Sequence, residues 1–66
     1  MKNNLAERRL RREWTQADLA KALGVSRQTV ISIERDRFDP SLPLAFLIAQ
    51  TFSCRIEDVF TVDGAA

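Results

Sequence analysis

Leu19, Ala20 and Leu23 share one face of a short helix, and Val30 and Ile33, three apart, begin a second apolar stripe after a break at Gly24. Ala20 has to be small where two helices joined by a tight turn bring their backbones together. Gly24 follows the last periodic residue of the first stripe, where a helix commonly ends on a left-handed residue. Val25 then plugs the turn, and Ser26 offers a side-chain oxygen to the free amides of the next helix. Upstream, Thr15 with Asp18 three residues later has the form of a capping box, with Asp in place of Glu or Gln. The pattern predicts a helix-turn-helix over about residues 16–35, its second helix running from about Arg27 to Arg35.

The flanking chain predicts three more helices. From about Asn4 to Glu13, Leu5 and Leu10 form a thin apolar stripe in a basic surface. Either Leu10 turns inward by a small rotation of the helix, or Arg8 lays its stem along the core and sends its head to water. Trp14 is expected to seal the core beside this helix. After Arg35, Asp36 is expected to hold a left-handed turn, with Phe38 packed underneath the loop. Asp39 and Pro40 close that loop before a fourth helix over about Leu42–Thr51, capped by Ser41 and with Pro43 in its first turn. Ala45, Ile48, Ala49 and Phe52 make one stripe of this helix, while Leu42, Leu44, Phe46 and Leu47 leave it apolar nearly all round. A helix of that kind must be covered nearly all round, so a partner chain is expected over the part its own domain leaves open. A short helix Ile56–Val59 follows. Thr61 and Val62 are candidates for a brief strand, Met1 to Asn3 either fray or pair with the far terminus, and the tail 63–66 reads as unstructured.

The stretch Thr15 to Glu34 resembles the Cro and phage-repressor (Xre-type) helix-turn-helix family. The likeness extends through Asp39-Pro40-Ser41-Leu42, the apolar run to Ala49 and Ile56-Glu57-Asp58-Val59-Phe60, and so covers about residues 3–60. It implies an all-α, five-helix, lambda-repressor-like domain spanning 1–66, with a short terminal β pairing left open and a dimerisation region at about 42–62. The implied partners are double-stranded DNA and a second copy of the chain, acting on an inverted-repeat operator and usually repressing. In the third helix, Arg27 and Gln28 are the candidates for bidentate contacts to guanine and adenine edges, with Thr29 against a thymine methyl and Ser32 one turn along. Gln16, Ser26 and Arg37 are the implied phosphate contacts, which set register without reading sequence. Arg9 matches the family arginine that pairs with the glutamate found here as Glu34. Phe46, Leu47, Phe60 and Val62 are the candidates for the dimer interface.

Composition narrows the alternatives. Sixty-six residues are expected to make one small domain, with no separate effector domain. No apolar run approaches the roughly 18 residues of a membrane span and no signal peptide is evident, so a cytoplasmic location is expected. Cys54 is the single cysteine and histidine is absent, which excludes an internal disulfide and a Cys/His zinc site. No cofactor, metal or small-molecule effector is expected. Catalysis is not expected either, since there is no Gly-rich phosphate loop and Glu57 and Asp58 point to different faces of their helix. The net charge of +1 hides an asymmetry: residues 1–37 hold nine Lys and Arg against five acids, whereas residues 38–66 hold Arg55 against four acids. Such polarisation suits one end docking on phosphates. A protein-interaction module, such as an antitoxin that masks a partner through the apolar fourth helix, shares this fold and is the competing expectation.

Overall fold

In a computed structural model, residues 1–62 are described. They form β1 (Lys2–Asn3), α1 (Leu5–Arg11), α2 (Gln16–Leu23), α3 (Arg27–Glu34), α4 (Leu42–Thr51), α5 (Ile56–Val59) and β2 (Phe60–Thr61). The expectation for the tail 63–66 lies outside the described residues. The two strands pair antiparallel, Lys2 opposite Thr61 and Asn3 opposite Phe60. The first residues are therefore pinned by the far end of the chain. The second strand begins one residue earlier than the Thr61 and Val62 pattern suggested.

The core is built from the predicted stripes. Leu19, Ala20 and Leu23 of α2, Val30 and Ile33 of α3, and Ala45, Ile48 and Ala49 of α4 are all buried, and Leu5, Phe52, Val59 and Phe60 close the core around them. In α1, Leu10 stays 62% exposed, so the helix has not rotated to bury it. Arg8 instead runs back along the surface, donating from Nε to Asn4 Oδ1 at 3.0 Å and from its terminal nitrogen to the Asp58 carbonyl at 3.2 Å. Its head thereby bridges α1 to α5.

Each long helix starts on a hydroxyl cap. Thr15 accepts from the Asp18 amide while Asp18 accepts from the Thr15 amide, completing the capping box. Ser26 accepts from the Thr29 amide and Ser41 from the Leu44 amide. Each such cap contributes about 1 kcal/mol.

The ends of α1 to α4 share one geometry. Glu13, Gly24, Asp36 and Ser53 all have φ between 53° and 70°. In each case the next amide reaches back five residues: Trp14 to the Arg9 carbonyl, Val25 to Ala20, Arg37 to Ser32 and Cys54 to Ala49. These are Schellman closures, which satisfy carbonyls the helix leaves open. At three of them the following side chain, Trp14, Val25 or Cys54, packs on the core. At the fourth that position is Arg37, which is exposed.

Candidate nucleic-acid interface

The outer face of α3 is positioned by its inner one. With Val30 and Ile33 fully buried, the 100° helical increment turns Arg27 and Gln28 to solvent and leaves Thr29 and Ser32 half-buried at the margin. The N-termini of α2 and α3 lie on this side, and the loop after α3 contributes exposed Arg35, Arg37 and Phe38.

A chain of polar contacts fixes part of the surface. Arg9 meets Glu34 bidentately, Nε to Oε2 at 2.7 Å and Nη2 to Oε1 at 3.3 Å, and its Nη1 donates to the Trp14 carbonyl at 2.9 Å. The two side chains are 11% and 7% exposed. Gln16 Nε2 donates to Glu34 Oε1 at 3.1 Å, and Gln16 Oε1 accepts from Arg27 Nη2 at 3.4 Å. One buried carboxylate at the end of α3 thus ties in α1 and the start of α2 and, through Gln16, the start of α3. Gln16 belongs to this chain, and one of its two amide hydrogens remains for an outside acceptor.

Nearby, the Asp18 carboxyl is held below its ordinary 3.8, first by the Thr15 amide, then by the Thr15 hydroxyl and, more weakly, by Lys21. It stays ionised at neutral pH and occupies the α2 cap.

Ser26 and Thr29 hydroxyls lie 2.9 Å apart, so one hydroxyl hydrogen of the pair is left over for a ligand. Together with Gln28, Ser32, Arg37 and Phe38 they line a depression of about 290 Å³. Phe38 does not pack underneath the loop: it is 46% exposed. The left-handed turn at Asp36 is closed by the Arg37 amide on the Ser32 carbonyl, which keeps Arg37 and Phe38 at the outer margin of α3, where both line the depression beside Ser32. On the inner side of this turn, Asn3 Nδ2 donates to the Ile33 carbonyl at 2.8 Å and to Asp36 Oδ1 at 3.1 Å, so β1 fastens the end of α3.

These elements, in this order, match the helix-turn-helix family pattern over residues 5–59. The chain belongs to the helix-turn-helix family. Among its relatives, an HTH-type transcriptional regulator of Methanocaldococcus jannaschii is 58% identical over 60 residues, covering 91% of each chain. One from Bacillus subtilis is 44% identical over 63 residues, covering 96% of each. A crystal structure of a hypothetical transcription factor from Neisseria superposes with a TM-score of 0.76 at 25% identity. That match covers 83% of this chain, which spans 62% of the Neisseria protein.

In this helix-turn-helix domain the sequence-derived candidates fall into three groups. Arg27, Gln28, Thr29 and Ser32 lie together on α3, and Ser26 and Arg37 flank them at its two ends. Gln16, Arg9 and Glu34 form the polar chain behind Arg27. The dimer candidates divide. Phe46 and Leu47 are 54% and 38% exposed on α4, and Val62 is exposed beyond β2. Phe60, at 7%, is not part of that exposed face and belongs to the chain's own core. As the first residue of β2 it points inward, and the pleat sends Thr61 outward. Exposed Leu42 takes its place beside Phe46 and Leu47. Two features carried no sequence signal: the outward Phe38, and Asn3 as the clasp on α3. No helix among the described residues is long and apolar enough to cross a membrane.

Proposed function

We propose that this chain is a sequence-specific double-stranded-DNA-binding regulator of transcription, acting as a homodimeric repressor on an inverted-repeat operator. The observation that carries the reading is the outer face of α3, where Arg27 and Gln28 stand exposed between the capped start of the helix and the basic loop that follows it. Arg and Gln are the side chains that make bidentate contacts to guanine and adenine in the major groove. Ser26, Arg37 and the remaining Gln16 amide hydrogen flank them as phosphate contacts, setting register. The archaeal and bacterial relatives described as HTH-type transcriptional regulators support the same assignment.

The homodimer rests on α4. Leu42, Phe46 and Leu47 leave an apolar face open on the protomer, and a second copy about a two-fold axis would cover it. Two copies of α3 would then enter successive major grooves about 34 Å apart, which requires a palindrome with half-site centres one helical turn apart. A bound promoter is thereby blocked, and no effector is needed.

Selection of bound duplexes from a random pool, read by sequencing, together with sedimentation of the purified protein, tests this reading. Enrichment of a dyad and a dimeric mass are expected. No enriched motif with a monomeric protein would favour the protein-interaction module, in which the face of α4 serves a different partner.

A further inference from the structure

The depression between α3 and the following loop combines three chemistries that no contact within the chain uses. The Arg37 guanidinium has no hydrogen-bond or ion-pair partner among the described residues. One hydroxyl hydrogen of the Ser26 and Thr29 pair is unassigned. Phe38 presents an apolar wall that is nearly half exposed, although the core lies directly beneath α3. A cation, a hydroxyl donor and an aromatic face around about 290 Å³ complement a unit that is anionic at one end and rich in C–H surface at the other. A backbone nucleotide of DNA is such a unit, its phosphate joined to a deoxyribose. The ring lies in the same depression as Arg37 and Ser32, beside the candidate phosphate contacts rather than at Arg27.

We infer that Phe38 is a DNA-contacting residue, packing its ring on a deoxyribose whose phosphate is held by Arg37 and by the one remaining hydroxyl hydrogen of the Ser26 and Thr29 pair. The inference rests on the DNA-binding reading and adds to it an apolar backbone contact. Its energetic signature differs from those of its neighbours. A phosphate contact displaces counterions and steepens the salt dependence of binding, and a base contact changes base preference. An apolar contact to the sugar changes neither. Its removal lowers affinity by the same factor at every ionic strength and on every sequence.

The experiment titrates the selected duplex with wild type, Phe38→Ala, Phe38→Leu and Arg37→Ala across a salt series, with melting curves as a control for folding. Covering about 50 Å² of apolar surface corresponds to about a tenfold affinity loss per protomer for Phe38→Ala. The expected result is that loss with an unchanged salt slope and unchanged base preference, a smaller loss for Phe38→Leu, and a shallower slope for Arg37→Ala alone. Each thymine of the duplex is then replaced in turn by deoxyuridine, which removes only the methyl group. A Phe38→Ala effect that vanished at one such position would make Phe38 a base reader and overturn the inference. So would wild-type affinity in Phe38→Ala. Either result leaves the DNA-binding reading standing, whereas a wild-type protein that binds no duplex removes both.

Discussion

Removing Glu34 should cost this domain far more than the loss of an ordinary surface ion pair. The carboxylate receives three hydrogen bonds, two from Arg9 and one from Gln16, and the Arg9–Glu34 pair is 11% and 7% exposed. Exposed pairs contribute about 0–1 kcal/mol, whereas breaking a buried pair from one side costs about 3–5 kcal/mol because the remaining charge is left uncompensated. In Glu34→Ala, Arg9 keeps only its bond to the Trp14 carbonyl, and Gln16 loses the acceptor that orients it. At roughly 0.05–0.15 kcal/mol per residue, a domain of this size holds about 3–10 kcal/mol in all. The substitution should therefore remove a large share of the stability. Urea unfolding followed through the single tryptophan, Trp14, whose ring lies 5.9 Å from that of Phe52, reads the loss. A double-mutant cycle with Arg9→Ala and Glu34→Ala isolates the pair, with an expected coupling of about 2–3 kcal/mol. A coupling below about 1 kcal/mol would refute the argument and reduce the pair to one of surface type.

Leu47→Glu places a charge on the open face of α4 and should leave the fold intact while dissociating the proposed dimer; a variant that sediments as a dimer and binds duplex as wild type does would rule out that interface. Arg27→Ala should cost about 1–3 kcal/mol on the best operator and relax one base pair per half-site, whereas Arg37→Ala should weaken all duplexes alike and flatten the salt slope. Base-substitution titrations separate the two, and identical behaviour would dismiss the division into reader and clamp. The Asp18 carboxyl titrates below 3.8 in the folded state. Its contribution to stability is thus present above the unfolded value and is lost as pH falls through the lower folded one. Asp18→Asn should accordingly show a shallower loss of stability with acid below about pH 4 than wild type, measured by thermal melting.

The interior of the helix-turn-helix was legible because periodicity reports which face a residue occupies. Ala20, Val25, Val30 and Ile33 needed only their spacing, and Gly24 and Asp36 announced their left-handed turns by residue type. Glu13 and Ser53 adopt the same φ without any such mark, since neither is selected for that region. The better signal was the next residue, because Trp14 and Cys54 anchor those closures on the core. Phe38 misled because an aromatic residue in a loop is read by hydropathy as inward, while its direction is set by the backbone of the turn at Asp36. For α1 the spacing left two arrangements open, and what favours Arg8 over an inward Leu10 is its bonding to Asn4 and to the Asp58 carbonyl, a contact between the two ends of the domain that has no periodic trace. Phe60 was assigned outward because the strand pairing with Asn3, which turns it inward, joins the two ends of the domain and leaves no periodic trace. The Arg9–Glu34 pair was expected through family resemblance, but Gln16 as its third member was not, because hydrogen-bond partners across three helices have no sequence spacing.

The polar chain behind Arg27 bears on when recognition loses its entropy. A glutamine or arginine at a protein surface samples many rotamers, and fixing each on a ligand costs about 0.5–1.5 kcal/mol. Here the Gln16 amide is already oriented by Glu34, and Arg27 leans on its oxygen. That ordering is supplied when the domain folds, by a buried carboxylate. The contact at 3.4 Å is long enough to give way, so Arg27 waits near one orientation without being locked in it. In the proposed complex, discrimination between bases would then draw on a side chain with few alternative poses, and a wrong base would have fewer ways of being accommodated.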